Sequence, residues 1–119
     1  MKIFILFLLS LALTLFAPIT LAHTGLSSSL PENNQVLDSS PEQLEMVFSG
    51  PVLMARVELR DPSGGRVDLD ISGYTETAES FSVDLPDDFP AGKYTARWTV
   101  LGEDGHTMAG ALSFTIQGD

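Results

Sequence analysis

Two histidines are the whole imidazole inventory of this 119-residue chain, and their settings suggest one shared metal site. His23 follows Thr20-Leu21-Ala22, where small residues at the minus-three and minus-one positions fit signal-peptidase cleavage. Cleavage there gives His23 a free α-amine beside its imidazole, and the two nitrogens can chelate one ion. With the amine pKa near ~8 and the imidazole near ~6.5, a divalent cation displaces their protons at modest cost near neutrality. The other histidine closes Asp104-Gly105-His106. In an extended segment Asp104 and His106, two residues apart, project to the same side. Gly105 between them leaves the backbone free to turn tightly. Three nitrogens and one carboxylate form the tetragonal N,O set that Cu(II) prefers, with Ni(II) or Zn(II) as second choice. Each half also has an ordinary alternative: a histidine can simply follow a signal site, and Asp-Gly-His can be a connecting turn in which Asp caps backbone amides.

What precedes His23 reads as a leader. Met1-Lys2 is a short positive start, and an uncharged apolar run continues from Ile3 to Phe16, short of the roughly 20 residues a bilayer span needs. An uncleaved anchor is the alternative, but Pro18 and the small-residue site follow the apolar run directly, so the expectation is a cleaved signal peptide over 1–22 and a single domain over 23–119, with no membrane insertion after processing. The chain has no cysteine, which excludes a lipid-acylated cysteine and any disulfide, so the exported fold must rest on packing or on a bound ligand. Without Lys2 the chain keeps five basic residues against sixteen acids, a formal charge of −11. That sign repels phosphate backbones and anionic lipid and tolerates cations, so nucleic acid is not an expected partner.

The elements that must position these groups read as strands. Past His23 no helical period appears, and short alternating runs are separated by Pro, Gly, Asn and Asp, the rhythm of an antiparallel sandwich. Leu44, Met46 and Phe48 alternate with polar neighbours between Pro41 and Gly50-Pro51. Val57 and Leu59 lead into Asp61-Pro62-Ser63-Gly64-Gly65, a turn sequence, and Val67 and Leu69 complete a hairpin. Phe81, Val83 and Leu85 form the next run. Tyr94, Ala96, Trp98 and Val100 share one face of a strand, and Leu112, Phe114 and Ile116 one face of another. These two are expected to be antiparallel neighbours joined through Gly102 to Gly110, which places the Asp-Gly-His segment at their shared end.

Other candidates carry less chemistry. Asp68 and Asp70 on one strand face, or Asp87-Asp88 beside a loop, are possible Ca(II) ligands, but solvated acids are the ordinary reading in so acidic a chain. Ser27, Ser28 and Ser29 lack a Gly-x-Ser-x-Gly elbow, so hydrolase chemistry is not expected. Of the methionines left after processing, Met46 faces the expected core, while Met54 and Met108 are the two that can be exposed. Two separated thioethers make a poor Cu(I) site, and the expectation is Cu(II) alone, one ion per chain.

The opening His23-Thr24-Gly25-Leu26-Ser27-Ser28-Ser29-Leu30-Pro31, then Ser40-Pro41 and Leu44-Glu45-Met46-Val47-Phe48-Ser49-Gly50-Pro51-Val52, follow a known order. So do Gly92-Lys93-Tyr94-Thr95-Ala96-Arg97-Trp98, Asp104-Gly105-His106 and Gly110-Ala111-Leu112-Ser113-Phe114. Together they resemble the copper resistance protein CopC family of periplasmic copper-binding domains across essentially the whole mature chain, with only Arg60 to Phe89 matching in pattern alone. The resemblance implies an all-β, seven-stranded antiparallel Greek-key sandwich or barrel, cupredoxin-like or immunoglobulin-like. It implies Cu(II) held by the His23 amine and imidazole, Asp104 and His106, and a periplasmic carrier or buffer rather than an enzyme. A copper-transporting inner-membrane protein is the partner it suggests. Where the family usually carries a glutamate this chain has Gly50, so a carboxylate role near the metal does not transfer. Two other classes fit the same residues: a terminal histidine plus a second one resembles the histidine brace of copper monooxygenases, and a sandwich can serve as a metal-free interaction module.

Overall fold

A computed structural model describes residues 25–87 and 89–118. The leader assigned to 1–22, together with His23, lies outside the described residues. Seven strands follow in order: β1 (Leu26–Leu30), β2 (Gln35–Leu37), β3 (Gln43–Arg60), β4 (Arg66–Asp68), β5 (Ala78–Asp84), β6 (Gly92–Gly102) and β7 (Thr107–Ile116). No helix occurs among the described residues.

The architecture hinges on β3. Gly50-Pro51 does not end the Leu44–Phe48 strand as the sequence suggests; the chain runs on through 18 residues and belongs to two layers. Its first half pairs antiparallel with β1 and with β5, and its second half with β4 and β6. Pro51 offers no N–H, and it falls in the gap where pairing with β5 lapses between Val47 and Val52. A strand that changes sheets at such a break makes the corner of a sandwich. A register shift between Met54 and Arg56 then inverts the alternation. Even-numbered Leu44, Met46, Phe48, Val52 and Met54 are buried before it, and odd-numbered Val57 and Leu59 after it. One inserted residue moves every later side chain to the other face, so the two phases legible in the sequence are one bulged strand.

The expected runs pack their apolar faces inward except at β4, where Val67 is exposed. Phe81, Val83 and Leu85, Tyr94 to Val100, and Leu112 to Ile116 join β3 in a single core. Phe48 makes edge contacts with Phe81 and Trp98, with ring centroids 5.7 and 6.4 Å away, and Tyr94 stacks on Phe114 at 5.6 Å. Two expectations change. Met54 is buried rather than exposed, and Met108 is half-buried against the core. The sheet is mixed, because β2 pairs parallel to β7 from Gln35 opposite Phe114 to Leu37 opposite Ile116.

Candidate metal centre

The pairing of β6 with β7 is antiparallel and unbroken from Gly92 opposite Ile116 to Leu101 opposite Thr107, and it delivers the chain into a tight reversal at Gly102–His106. The Gly102 carbonyl accepts from the Gly105 N–H at 3.0 Å, and the Gly102 N–H donates to the His106 carbonyl at 2.9 Å. Gly105 has φ of 82°, a left-handed conformation that a side chain disfavours. This is a turn with a glycine bulge, a common way to close a hairpin. The segment is therefore not extended, and turn geometry rather than strand alternation brings Asp104 and His106 together.

Asp104 uses both carboxylate oxygens on the histidine. One accepts the His106 backbone N–H at 3.0 Å, and the other lies 2.8 Å from His106 Nδ1. The contact raises the His106 pKa, first by hydrogen bonding and then by charge, with desolvation opposing. Asp104 is lowered in turn, chiefly by the hydrogen bond to the imidazole and then by the backbone one. With Nδ1 engaged, Nε2 is the nitrogen left to face a ligand, the arrangement in which a carboxylate orients a metal-binding imidazole. Both side chains stand in solvent, 82% exposed for His106 and 64% for Asp104.

Near this turn, the described chain begins. The Gly25 N–H donates to Ser49 Oγ at 3.1 Å, and the Ser49 N–H donates to the Gly25 carbonyl at 2.9 Å. Ser49 precedes by three residues Val52, which faces Gly102, the first residue of the turn. Gly25 thus enters at the same end of the molecule as Asp104 and His106. Among the described residues no group of three or more His, Cys, Asp or Glu side chains gathers in a way that could hold a metal, at this turn or elsewhere. Asp68 is held by Arg66 at 3.2 Å and Arg56 at 3.6 Å, and Asp70 accepts the Ser72 N–H, so neither assembles a calcium site; Asp88 lies outside the described residues. Ser29 donates to the Pro31 carbonyl.

Two supporting features went unread in the sequence. Gly110 lies directly under the Trp98 indole, since a Cβ there would come within 2.4 Å of Trp98 Cζ2. Glu58, though only 8% exposed, is ringed by Arg66, Arg56 and Arg60 at 3.0, 3.2 and 3.6 Å. The alternation Arg56-x-Glu58-x-Arg60 was the available signal for the second.

The family model of the CopC domain matches residues 26–117. The chain belongs to the CopC family. A relative described as the copper transport protein CutJ of Bacillus subtilis (strain 168) is 32% identical over 117 residues, covering 96% of this chain. The chain spans only 21% of that relative's length. Among solved structures, CopC from Methylosinus trichosporium OB3b superposes with a TM-score of 0.68 at 25% identity, covering 80% of this chain and 94% of that one. PcoC, a methionine-rich copper resistance protein from Escherichia coli, shares the fold with a TM-score of 0.63 at 22% identity, covering 81% of this chain and all of that one.

Proposed function

We propose that this CopC-family protein is an exported, periplasmic Cu(II) carrier or buffer, binding one ion through the His23 amine and imidazole, Asp104 and His106. The observation that carries the reading is the Gly102–His106 turn, where Asp104 holds Nδ1 and leaves Nε2 outward at the end of the sheet where Gly25 enters. Only Thr24 lies between Gly25 and His23, and at roughly 3.3 Å per residue His23 enters no more than about 7 Å from Gly25, at the same end as the turn. The donors are nitrogen and carboxylate oxygen, which suit Cu(II). A soft Cu(I) site at the surface is disfavoured because Met54 is buried. The family and the name of the Bacillus subtilis relative support copper as the cargo; a copper-transporting inner-membrane protein is the exchange partner in this proposal.

Equilibrium binding is the mechanism, with no bond made or broken in the cargo. Protein beginning at His23 binds Cu(II) tightly in a direct titration, whereas protein with one extra residue ahead of His23 loses most of that affinity. Equal binding by the two forms overturns the terminal-amine ligand.

A further inference from the structure

Charge is sorted on this molecule. Every basic residue after Lys2 stands on one layer: Arg56 and Arg60 on β3, Arg66 on β4, Lys93 and Arg97 on β6. Beyond the bulge, the even positions of β3 and the odd positions of β6 turn away from the core, and the register sets them side by side. Arg56 lies opposite Thr99, Glu58 opposite Arg97 and Arg60 opposite Thr95, with Arg66 opposite Arg60 on the far side. Glu58 and Asp68 are the acids these strands add to the face. They occupy Arg56, Arg60 and Arg66, whereas no carboxylate among the described residues pairs with Lys93 or Arg97. A protein of formal charge −10 therefore carries one face with a cationic excess.

That face is also shaped. A shallow trough of about 430 Å³ lies between Arg56 and Arg97, with Glu58 and Thr99 along it and the small side chains of Ala109 and Ala111 as its low wall. Thr99 pairs with Ala109 three residues before Gly102. At roughly 3.3 Å per residue, the trough begins about 10 Å from the metal turn.

We propose that this trough docks an extended, carboxylate-bearing segment of a partner protein. Guanidinium forks match carboxylates in the plane, as the two-point contact of Arg66 with Asp68 already shows on the same surface. A narrow acidic segment in the trough meets Arg56 and Arg97, and the one acid in the lining, Glu58, is already held by Arg56, Arg60 and Arg66. A flat anionic membrane pressed against the face also meets the acids at its margins, Asp61 beyond Arg60 at one end, Asp70 on the Arg56 side of β4, and Glu103 and Asp104 at the turn end, which favours the peptide over lipid. The placement beside Asp104 and His106 suits a partner that exchanges copper, and that role rests on the copper reading above.

The test titrates the purified protein with an oligoglutamate peptide at low ionic strength, following the fluorescence of Trp98, the single tryptophan, which borders the trough. Phosphatidylglycerol vesicles are titrated in parallel. Saturable peptide binding that fades with added salt is expected, weakened about tenfold or more in Lys93→Glu/Arg97→Glu with Cu(II) affinity unchanged. The Lys93→Gln/Arg97→Gln variant gives an intermediate loss without placing new acids on the sheet. Absence of saturable peptide binding, equal binding by the charge-reversed variant, or a preference for vesicles overturns the proposal. Peptide binding that persists where Cu(II) binding fails leaves the docking surface standing and overturns the copper reading instead.

Discussion

His106 owes its ionisation to one neighbour. The Asp104 carboxylate, 2.8 Å from Nδ1, accepts a hydrogen bond and supplies charge, so imidazolium is favoured and the pKa lies above the ordinary value of about 6.5. The pair's contribution to the turn follows from both partners. That of His106 is fully present below the ordinary imidazole value and disappears as pH rises through the raised one. That of Asp104 is present above the ordinary carboxylate value, near 3.9, and disappears as pH falls through its lowered one. In metal-free protein, NMR titration should place His106 above the ordinary imidazole value, and Asp104→Asn should bring it back towards that value. Since Cu(II) needs the neutral ring, acidification should begin to weaken binding at a higher pH than for an isolated imidazole. An unchanged His106 titration in Asp104→Asn would show that the contact has no electrostatic weight.

The turn is an element in its own right, and its glycine is a backbone requirement. Gly105→Ala forces a Cβ into the left-handed region at φ of 82° and should cost about 1 kcal/mol of stability. The greater effect is expected on copper, because relaxing φ separates the Asp104 carboxylate from the ring it orients; calorimetry with Cu(II) checks this against the small shift in melting temperature. The hairpin behind the turn is held by packing across it. In Gly110→Val the new side chain meets the Trp98 indole, whose Cζ2 is 2.4 Å from the Cβ position, so Trp98 must leave its edge contact with Phe48. The expected loss is about 1–3 kcal/mol, read from the denaturant midpoint together with a change in tryptophan emission. Wild-type emission in that variant would mean the indole had not moved.

For the whole molecule, the absence of cysteine makes bound metal the available stabiliser beyond packing. If the ion binds only the folded chain, free Cu(II) at a hundredfold excess over Kd should add about 2.7 kcal/mol and raise the melting temperature accordingly. His106→Ala should abolish that rise while leaving the metal-free melting temperature nearly unchanged, since its ring is exposed. A rise that survives in His106→Ala would move the site elsewhere. Core integrity is a separate matter, and Phe81→Ala, which removes a ring packed on both Phe48 and Tyr74, should cost about 3–5 kcal/mol with or without copper.

Binary patterning determined the all-β class, the inward residues of β5, β6 and β7, and the hairpin that carries Asp104 and His106, because strand periodicity and turn residues are local properties. The residues of the proposed site were also legible, since they depend on residue type and spacing. Local pattern could not tell that Gly50-Pro51 interrupts a pairing rather than a strand, because only the flanking partners, β1 and β5 before it and β6 after it, reveal that β3 passes between layers. Likewise, the burial of Met54, the parallel seat of β2 on β7 and the gathering of five cations on one face arise from contacts distant in sequence. At the Gly102–His106 turn the two kinds of information meet: spacing named Asp104 and His106, and the turn closed by the pairing of β6 with β7 decided that the carboxylate would lie against one ring nitrogen.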